Sequence, residues 1–207
     1  MDILLCFLVA LIAYCIGSIS TGLLLAKMNG VDIRKHGSNN VGASNMLRVM
    51  GAKLGFLTLA GDFLKAILAC FIGQLIMPEA FGFERIGVII AGLFVVIGHN
   101  WPVFFGFKGG KGVACSAAVV LFASPLWGGL SCIICIAIIA TSKYISLGSL
   151  CLVLSFMILS FFVDMGNWLY IPFSICLFLL CTFQHWGNIQ RLLNGTERKI
   201  GEKEKIN

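Results

Sequence analysis

Long apolar runs separated by short polar segments dominate the 207-residue chain. Several runs approach or exceed about 18 residues without a charged residue, a length that predicts transmembrane helices. The predicted spans are residues 3–26, 54–77, 86–105, 112–124, 126–142, 145–163 and 167–184. We therefore predict an all-α polytopic membrane protein, with residues 1–207 forming a single integral-membrane domain.

The fourth span leaves an alternative open. As a helix, residues 113–123 would rise only about 16 Å, against a hydrocarbon core of about 30 Å. Residues 113–140 could instead form one long helix kinked at Pro125, which would give six spans. Charge placement favours seven transmembrane helices. If the N-terminus is outside, Arg85 is then the only basic residue on the outer side of the membrane. Six spans would put Lys143 and the basic C-terminal tail outside, so we predict a cytoplasmic C-terminus.

Composition supports a membrane protein. Apolar residues make up 59% of the chain and charged residues 12%, about half the charged fraction of a soluble domain. The net charge of +6 comes from basic residues in short loops beside apolar runs, a pattern of membrane topology that predicts no nucleic-acid partner. Cys132 and Cys135 form a C-x-x-C inside an apolar run, with no second pair or nearby histidine. No metal and no cofactor are therefore expected.

The polar segments all fall on the cytoplasmic side of the predicted topology. They are Val31–Arg48, His99–Gly112, Ser146–Ser149 and His185–Glu197. This co-location predicts a single site at the cytoplasmic face of the membrane. The charged tail from Glu197 to Asn207 is predicted to be solvated.

The segment from Lys108 to Gly112, with the sequence KGGKG, has the chemistry of a phosphate site. Glycine exposes backbone N–H groups, a following helix adds the positive end of its dipole, and lysine adds a full charge. Nucleotide P-loop spacing is absent, because Phe105 and Gly112 stand where glycine and Ser or Thr are needed. ATP binding is therefore not expected. The alternative is a pair of lysines that snorkel at the membrane face.

Two further segments carry candidate chemistry. Arg48 offers a planar fork suited to phosphate and would share a helical face with Ser44 and Asn45, although an ordinary polar loop near lipid head groups remains an alternative. His185 and Asn188 are spaced to share another helical face. His185 is a candidate general base, or an anchor of the last helix at the membrane interface.

Together these segments resemble the bacterial acyl-phosphate-dependent glycerol-3-phosphate acyltransferases, the PlsY family. The family's first motif, V-D-I-R-x-x-G-S-G-N-I-G-A-T-N, corresponds to residues 31–45, followed by Arg48. Its second, with G-H-x-x-P and F-K-G-G-K-G-V-A, corresponds to residues 98–102 and 107–114, and its third, H-x-x-N-I-x-R-L-x-x-G-x-E, to residues 185–197. Asn39 replaces the usual glycine and Ser44 the usual threonine; asparagine tolerates left-handed backbone better than most residues.

The resemblance implies a reaction in phospholipid biosynthesis. A fatty acyl group passes from acyl phosphate to the 1-hydroxyl of sn-glycerol 3-phosphate, giving 1-acyl-sn-glycerol 3-phosphate (lysophosphatidic acid) and phosphate. The implied location is the bacterial cytoplasmic (inner) membrane, with the active site facing the cytoplasm. The implied partners are glycerol 3-phosphate, long-chain acyl phosphate, membrane lipid and a peripheral enzyme that forms acyl phosphate.

The resemblance also implies roles for individual residues. The expected catalytic residues are Ser38, Arg48, Lys111 and His185. The expected substrate-binding residues are Asn40, Gly42, Ser44, Asn45, His99, Gly110, Ser146, Ser149 and Asn188. The proton of the acceptor hydroxyl could pass to a substrate phosphate or to His185, and both alternatives stay open.

Two other classes of function compete with an enzyme. A transporter for a phosphorylated metabolite should show inverted repeats or broken helices near the bilayer midplane, whereas the polar clusters here lie at one face. A non-catalytic lipid-binding scaffold is the other alternative.

Overall fold

Helices form nearly all of the computed structural model, which describes residues 1–162 and 168–202. The helices are α1 (Asp2–Gly17), α2 (Thr21–Met28), α3 (Ala43–Met50), α4 (Ala52–Ile76), α5 (Ile86–Asn100), α6 (Val113–Ala123), α7 (Pro125–Ser142), α8 (Ile145–Phe162), α9 (Tyr170–Gln184) and α10 (Trp186–Leu193). A small antiparallel hairpin of β1 (Glu79–Ala80) and β2 (Phe83–Glu84) joins α4 to α5. The predicted all-α architecture is confirmed, apart from this two-residue pairing.

Within the described residues, five helical segments are long and apolar enough to cross a membrane. They are residues 2–28, 52–76, 86–105, 125–142 and 145–162, and α6 and α9 are shorter apolar helices. The described residues do not include the end of the sixth predicted span at residue 163, the start of the seventh at residue 167, Asp164 or the tail 203–207.

The first predicted span is not one continuous helix. α1 ends at Gly17 and α2 begins at Thr21, with the Ser20 side chain accepting a hydrogen bond from the Leu23 N–H. This N-cap starts α2 in a new direction. The break also leaves the carbonyls of Gly17 and Ile19 available to another partner, the ammonium of Lys65 on α4.

α5 is the central helix of the bundle and packs against α1, α4, α6 and α9. Small residues allow these close approaches: a Cβ at Gly17 would collide with the Val95 carbonyl, and one at Gly73 with the Gly87 carbonyl. Lipid is as apolar as the helices, so close packing of small residues is a main source of helix association in a membrane. The polar ends of α4, α5 and α6 are thereby held in a defined arrangement.

α6 and α7 form a hairpin rather than one long kinked helix. Ser124 adopts an extended conformation between them, and Pro125 occupies the first turn of α7, where its missing N–H costs nothing. Gly128 of α7 lies against the Val120 carbonyl of α6. The Arg85 guanidinium donates to the carbonyls of Phe122 and Ala123 at 2.7 and 3.1 Å, which satisfies the C-terminal end of α6. The N-terminal end of α6 lies at the candidate site.

Candidate active site

Side chains from all the polar segments line one cavity of about 490 Å³ at the end of the bundle. The predicted site residues that line it are Ser38, Asn40, Gly42, Ser44, Arg48, His99, Lys111, Ser146, Ser149, His185 and Asn188. Asp62, Gln184, Arg191 and Glu197 line it as well. The predicted single site is therefore one physical cavity, whereas Asn45 and Gly110 lie behind its wall.

Asn45 organises the first polar loop. Its side chain is fully buried, and its amide donates to the carbonyls of Asn40 and His36 at 2.8 and 3.0 Å. Its Oδ1 atom accepts from the N–H of Ser38 at 2.9 Å. Asn45 was expected to bind substrate; in the structure its hydrogen-bonding groups hold the loop that presents Ser38 and Asn40.

The same loop contains two left-handed turns. Gly37 has φ +64°, and a Cβ there would collide with the Asn45 side chain. Asn39 has φ 57°, the conformation that asparagine tolerates better than most residues. The glycine-to-asparagine difference at Asn39 is thus compatible with the turn.

Three helices begin at the cavity. Ser44 lies in the first turn of α3, Val113 begins α6, and Gly187 lies in the first turn of α10; all three residues line the cavity. Helix N-termini carry unpaired N–H groups and partial positive charge. With Arg48 and Lys111 in the same wall, the cavity is built to hold an anion such as phosphate.

The glycine segment bends between α5 and α6. The Gly110 N–H donates to the His99 carbonyl at 3.1 Å, and a Cβ at Gly110 would collide with Nε2 of His99. Only glycine fits this contact between the segment and the imidazole ring. Lys108 is exposed, whereas Lys111 is half-buried in the cavity wall, so the two lysines of the segment differ in environment.

Lys111 is tied to a carboxylate through Asn188. The Lys111 ammonium donates to Oδ1 of Asn188, and Nδ2 of Asn188 donates to Oε1 of Glu197 at 2.5 Å. Glu197 also accepts from Oγ of Ser146 at 2.9 Å and from Nε of Arg191 at 2.8 Å. This network joins α6, α8 and α10 around the cavity.

A solvated tail was predicted from Glu197 onward; residues 198–202 are exposed, but for Glu197 the prediction is wrong. Its side chain is only 7% exposed. The chain turns back after α10 at Gly195, which has φ +68°, and the Thr196 N–H donates to the Arg191 carbonyl. The sequence did indicate a role for Glu197, because it is the last position of the third motif. The charged residues around it nevertheless led to the prediction that it is exposed.

Burial and neighbouring charges change the basicity of the site. Burial, together with Arg191, lowers the pKa of Lys111 to about 8, although Glu197 acts in the opposite direction. Burial, with a further contribution from Lys111, lowers the pKa of His185 to about 4. Burial raises the pKa of Glu197, but hydrogen bonds from Asn188, Ser146 and Arg191 outweigh this and leave the pKa lowered. An anion in the cavity would stabilise the charged form of Lys111.

His185 has a defined tautomer. Its Nδ1 lies 2.9 Å from the Cys181 carbonyl, which can only accept a hydrogen bond. Nδ1 therefore carries the proton, and the Nε2 atom of the neutral ring is left as an acceptor. His185 can consequently orient a hydroxyl group that donates to it.

The fold and cavity define an integral-membrane protein with a cavity lined by basic residues at one end of an apolar helical bundle. A family model described as "Glycerol-3-phosphate acyltransferase" matches residues 7–195, and the chain belongs to this family. It is 44% identical over 200 residues to the glycerol-3-phosphate acyltransferase of Thermoanaerobacter pseudethanolicus, covering 96% of this chain and 98% of that protein. Identity to the enzyme of the same name from Clostridioides difficile is 38% over 211 residues, covering 99% and 100%.

The structure is similar to crystal structures of PlsY, an integral membrane glycerol 3-phosphate acyltransferase. Against the glycerol 3-phosphate form the TM-score is 0.84 at 37% identity, covering 95% of this chain and 96% of that chain. Against the lysophosphatidic acid form the TM-score is 0.81 at 35% identity, with the same coverage. The resemblance to the PlsY family is confirmed.

The lowered pKa of Lys111 predicts pH-dependent anion binding. Sulfate is a suitable probe because it stays dianionic between about pH 6 and pH 9, so only the protein titrates. Its dissociation constant should be nearly constant at neutral pH and should rise above about pH 8, as Lys111 loses its proton. Calorimetric titration of the purified protein in detergent measures this. Lys111→Met should weaken binding and remove the dependence, whereas Lys108→Met should retain both; pH-independent binding by the unmodified protein would contradict the assignment.

Proposed function

We propose that the protein transfers a fatty acyl group from acyl phosphate to the 1-hydroxyl of sn-glycerol 3-phosphate, giving 1-acyl-sn-glycerol 3-phosphate and phosphate. One observation carries the proposal. Arg48, Lys111 and the N-termini of three helices line the same cavity, in a chain whose relatives are glycerol-3-phosphate acyltransferases. Both proposed substrates carry a phosphate group that this cavity would recognise.

The chemistry of acyl phosphate suits a site without a dedicated nucleophile. The acceptor oxygen attacks the acyl carbon, the bond between that carbon and the phosphate oxygen breaks, and phosphate leaves with the bonding electrons. The enzyme then supplies orientation and neutralises charge on the departing phosphate. Arg48, Lys111, Ser38 and Ser44 are the proposed groups for this task.

The lowered pKa of His185 favours a substrate phosphate as the proton acceptor. With a pKa of about 4, His185 is a weaker base than a phosphate monoester, whose second pKa is about 6. We assign His185 to orienting the acceptor hydroxyl through its Nε2 atom, with Asn188 beside it. The proton then moves from the hydroxyl to a phosphate oxygen.

The proposed setting is the bacterial cytoplasmic membrane, crossed by seven helices with the N-terminus outside and the C-terminus inside. The distribution of basic residues supports it: Lys53 lies in the first turn of α4, and Lys108 and Lys143 lie in the connections before α6 and α8. Glycerol 3-phosphate would enter from the cytoplasm, and acyl phosphate and product would exchange with the membrane. A peripheral enzyme that forms acyl phosphate is the proposed donor-side partner.

The reaction is tested with purified protein in detergent, palmitoyl phosphate and glycerol 3-phosphate. Phosphate release should depend on both substrates, and lysophosphatidic acid should appear in equal amount. Arg48→Ala and Lys111→Ala should each lower kcat/KM by at least about 100-fold, because each removes a charge that balances the leaving phosphate. Lys108→Ala should be nearly unchanged. Full activity in either cavity variant would refute the phosphate clamp.

His185→Ala separates the two routes for the proton. If phosphate accepts the proton, the variant should retain slow turnover, reduced by about 100-fold, with the same pH profile as the unmodified enzyme. The profile is measured from phosphate release over a range of pH. Complete loss of turnover with sulfate binding intact would instead identify His185 as the base.

Reporter fusions test the seven-span topology. Alkaline phosphatase, which is active only outside the cytoplasm, should be active when fused after Gly82 and inactive when fused after Lys143. With six spans, Lys143 would lie outside. An active fusion at Lys143, at expression equal to the Gly82 fusion, would exclude the proposed topology.

A further inference from the structure

Three buried polar side chains lie directly behind the glycine segment. Asp62 and Lys65 belong to α4 and His99 to α5, and their exposed fractions are 2%, 8% and 5%. Nζ of Lys65 lies 2.9 Å from Oδ1 of Asp62, three positions earlier on the same helix. Buried charges inside an apolar bundle are costly, so this cluster calls for a specific role.

The Lys65 ammonium has polar partners on several sides. It donates to the carbonyls of Gly17 and Ile19, at 3.0 and 2.6 Å, in the break between α1 and α2. It also lies 3.0 Å from Nδ1 of His99. An ammonium has three protons and no lone pair, so two protons go to the carbonyls and the third to Nδ1 of His99, while Asp62 forms an ion pair with the ammonium.

This geometry determines which nitrogen of His99 carries the proton. The contact between Nζ and Nδ1 is a hydrogen bond only if Nδ1 accepts, because the ammonium can only donate. The competing contact, from Nδ1 to Oδ1 of Asp62, is 3.6 Å and too long for a hydrogen bond. Neutral His99 therefore holds its proton on Nε2.

The Nε2 side of the ring faces the glycine segment. Gly110 lies against Nε2, close enough that a Cβ at this position would collide with it. The His99 ring lines the cavity together with Lys111 and Gly112. An N–H group at this edge adds a neutral donor beside the Lys111 ammonium.

We propose that Lys65 is a positioning residue that holds His99 in its Nε2–H tautomer, so that this N–H donates to a phosphate oxygen of glycerol 3-phosphate. The inference rests on the proposed function for the identity of the ligand. His99 and His185 then have opposite tautomers: His99 donates from Nε2 to phosphate, and His185 accepts at Nε2 from the hydroxyl. Two histidines in one cavity thereby perform complementary tasks.

Nitrogen NMR of the full chain in detergent tests the tautomer directly. The sequence has only three histidines, so spectra of protein labelled with ¹⁵N-histidine are assigned by substituting His36, His99 and His185 one at a time. At neutral pH, His99 should show a protonated Nε2 and an unprotonated Nδ1, and saturating glycerol 3-phosphate should shift its Nε2 resonance. A protonated Nδ1 in His99, or an Nε2 resonance unmoved by ligand, would overturn the proposal.

Variants test the role of Lys65. Asp62→Asn combined with Lys65→Met removes both charges, so no carboxylate is left buried alone. Nδ1 and Nε2 of His99 should then share the proton, and the dissociation constant for glycerol 3-phosphate, measured by calorimetry, should rise about tenfold. Lys108→Met is the matched control at an exposed lysine. An unchanged His99 tautomer in the double variant would show that Lys65 does not set it.

Two amide substitutions of His99 test which ring nitrogen donates the hydrogen bond. The amide nitrogen of glutamine can take the place of Nε2, whereas that of asparagine is near Nδ1, so His99→Gln should retain much more affinity for glycerol 3-phosphate than His99→Asn. Equal loss in both would exclude donation from Nε2. These measurements need no acyl donor, so a failure of acyl-phosphate turnover would refute the proposed function without affecting this result.

Discussion

A positive site must stay charged at the edge of an apolar bundle, and the rest of this structure depends on that constraint. Burial lowers the pKa of Lys111, and the link through Asn188 to the Glu197 carboxylate opposes this effect. Asn188 transmits the interaction without placing the carboxylate in direct contact with the ammonium. Lys111 can therefore remain available to an anion while its position is set by three helices.

The same constraint explains why so much of the site is backbone. Helix N-termini supply positive potential with no mobile side chain and no proton to lose, so their contribution does not vary with pH. The helix N-termini can act on the same ligand only if they lie close together, and α3, α6 and α10 belong to distant parts of the sequence. Close glycine contacts such as Gly73 with Gly87 and Gly128 with Val120 provide this convergence inside the bundle.

The first two helices also stabilise the site. The break between α1 and α2 exposes carbonyls that bind Lys65, and Lys65 in turn contacts the His99 ring beneath Gly110. This interruption of a membrane helix thus satisfies a buried charge next to the proposed phosphate site. The cost of burying Lys65 is offset by a set of partners that a regular helix would not offer.

The sequence by itself determined the apolar segments, most of the predicted site residues that line the cavity, and the family, because membrane spans follow from local composition and the three motifs are contiguous. Tertiary structure alone decided that α1 and α2 are separate, that Asn45 and Gly110 lie behind the wall, and that Glu197 is buried. Each of these depends on contacts between segments far apart in the chain, and a side chain's partners, unlike its helical propensity, are not encoded by its neighbours.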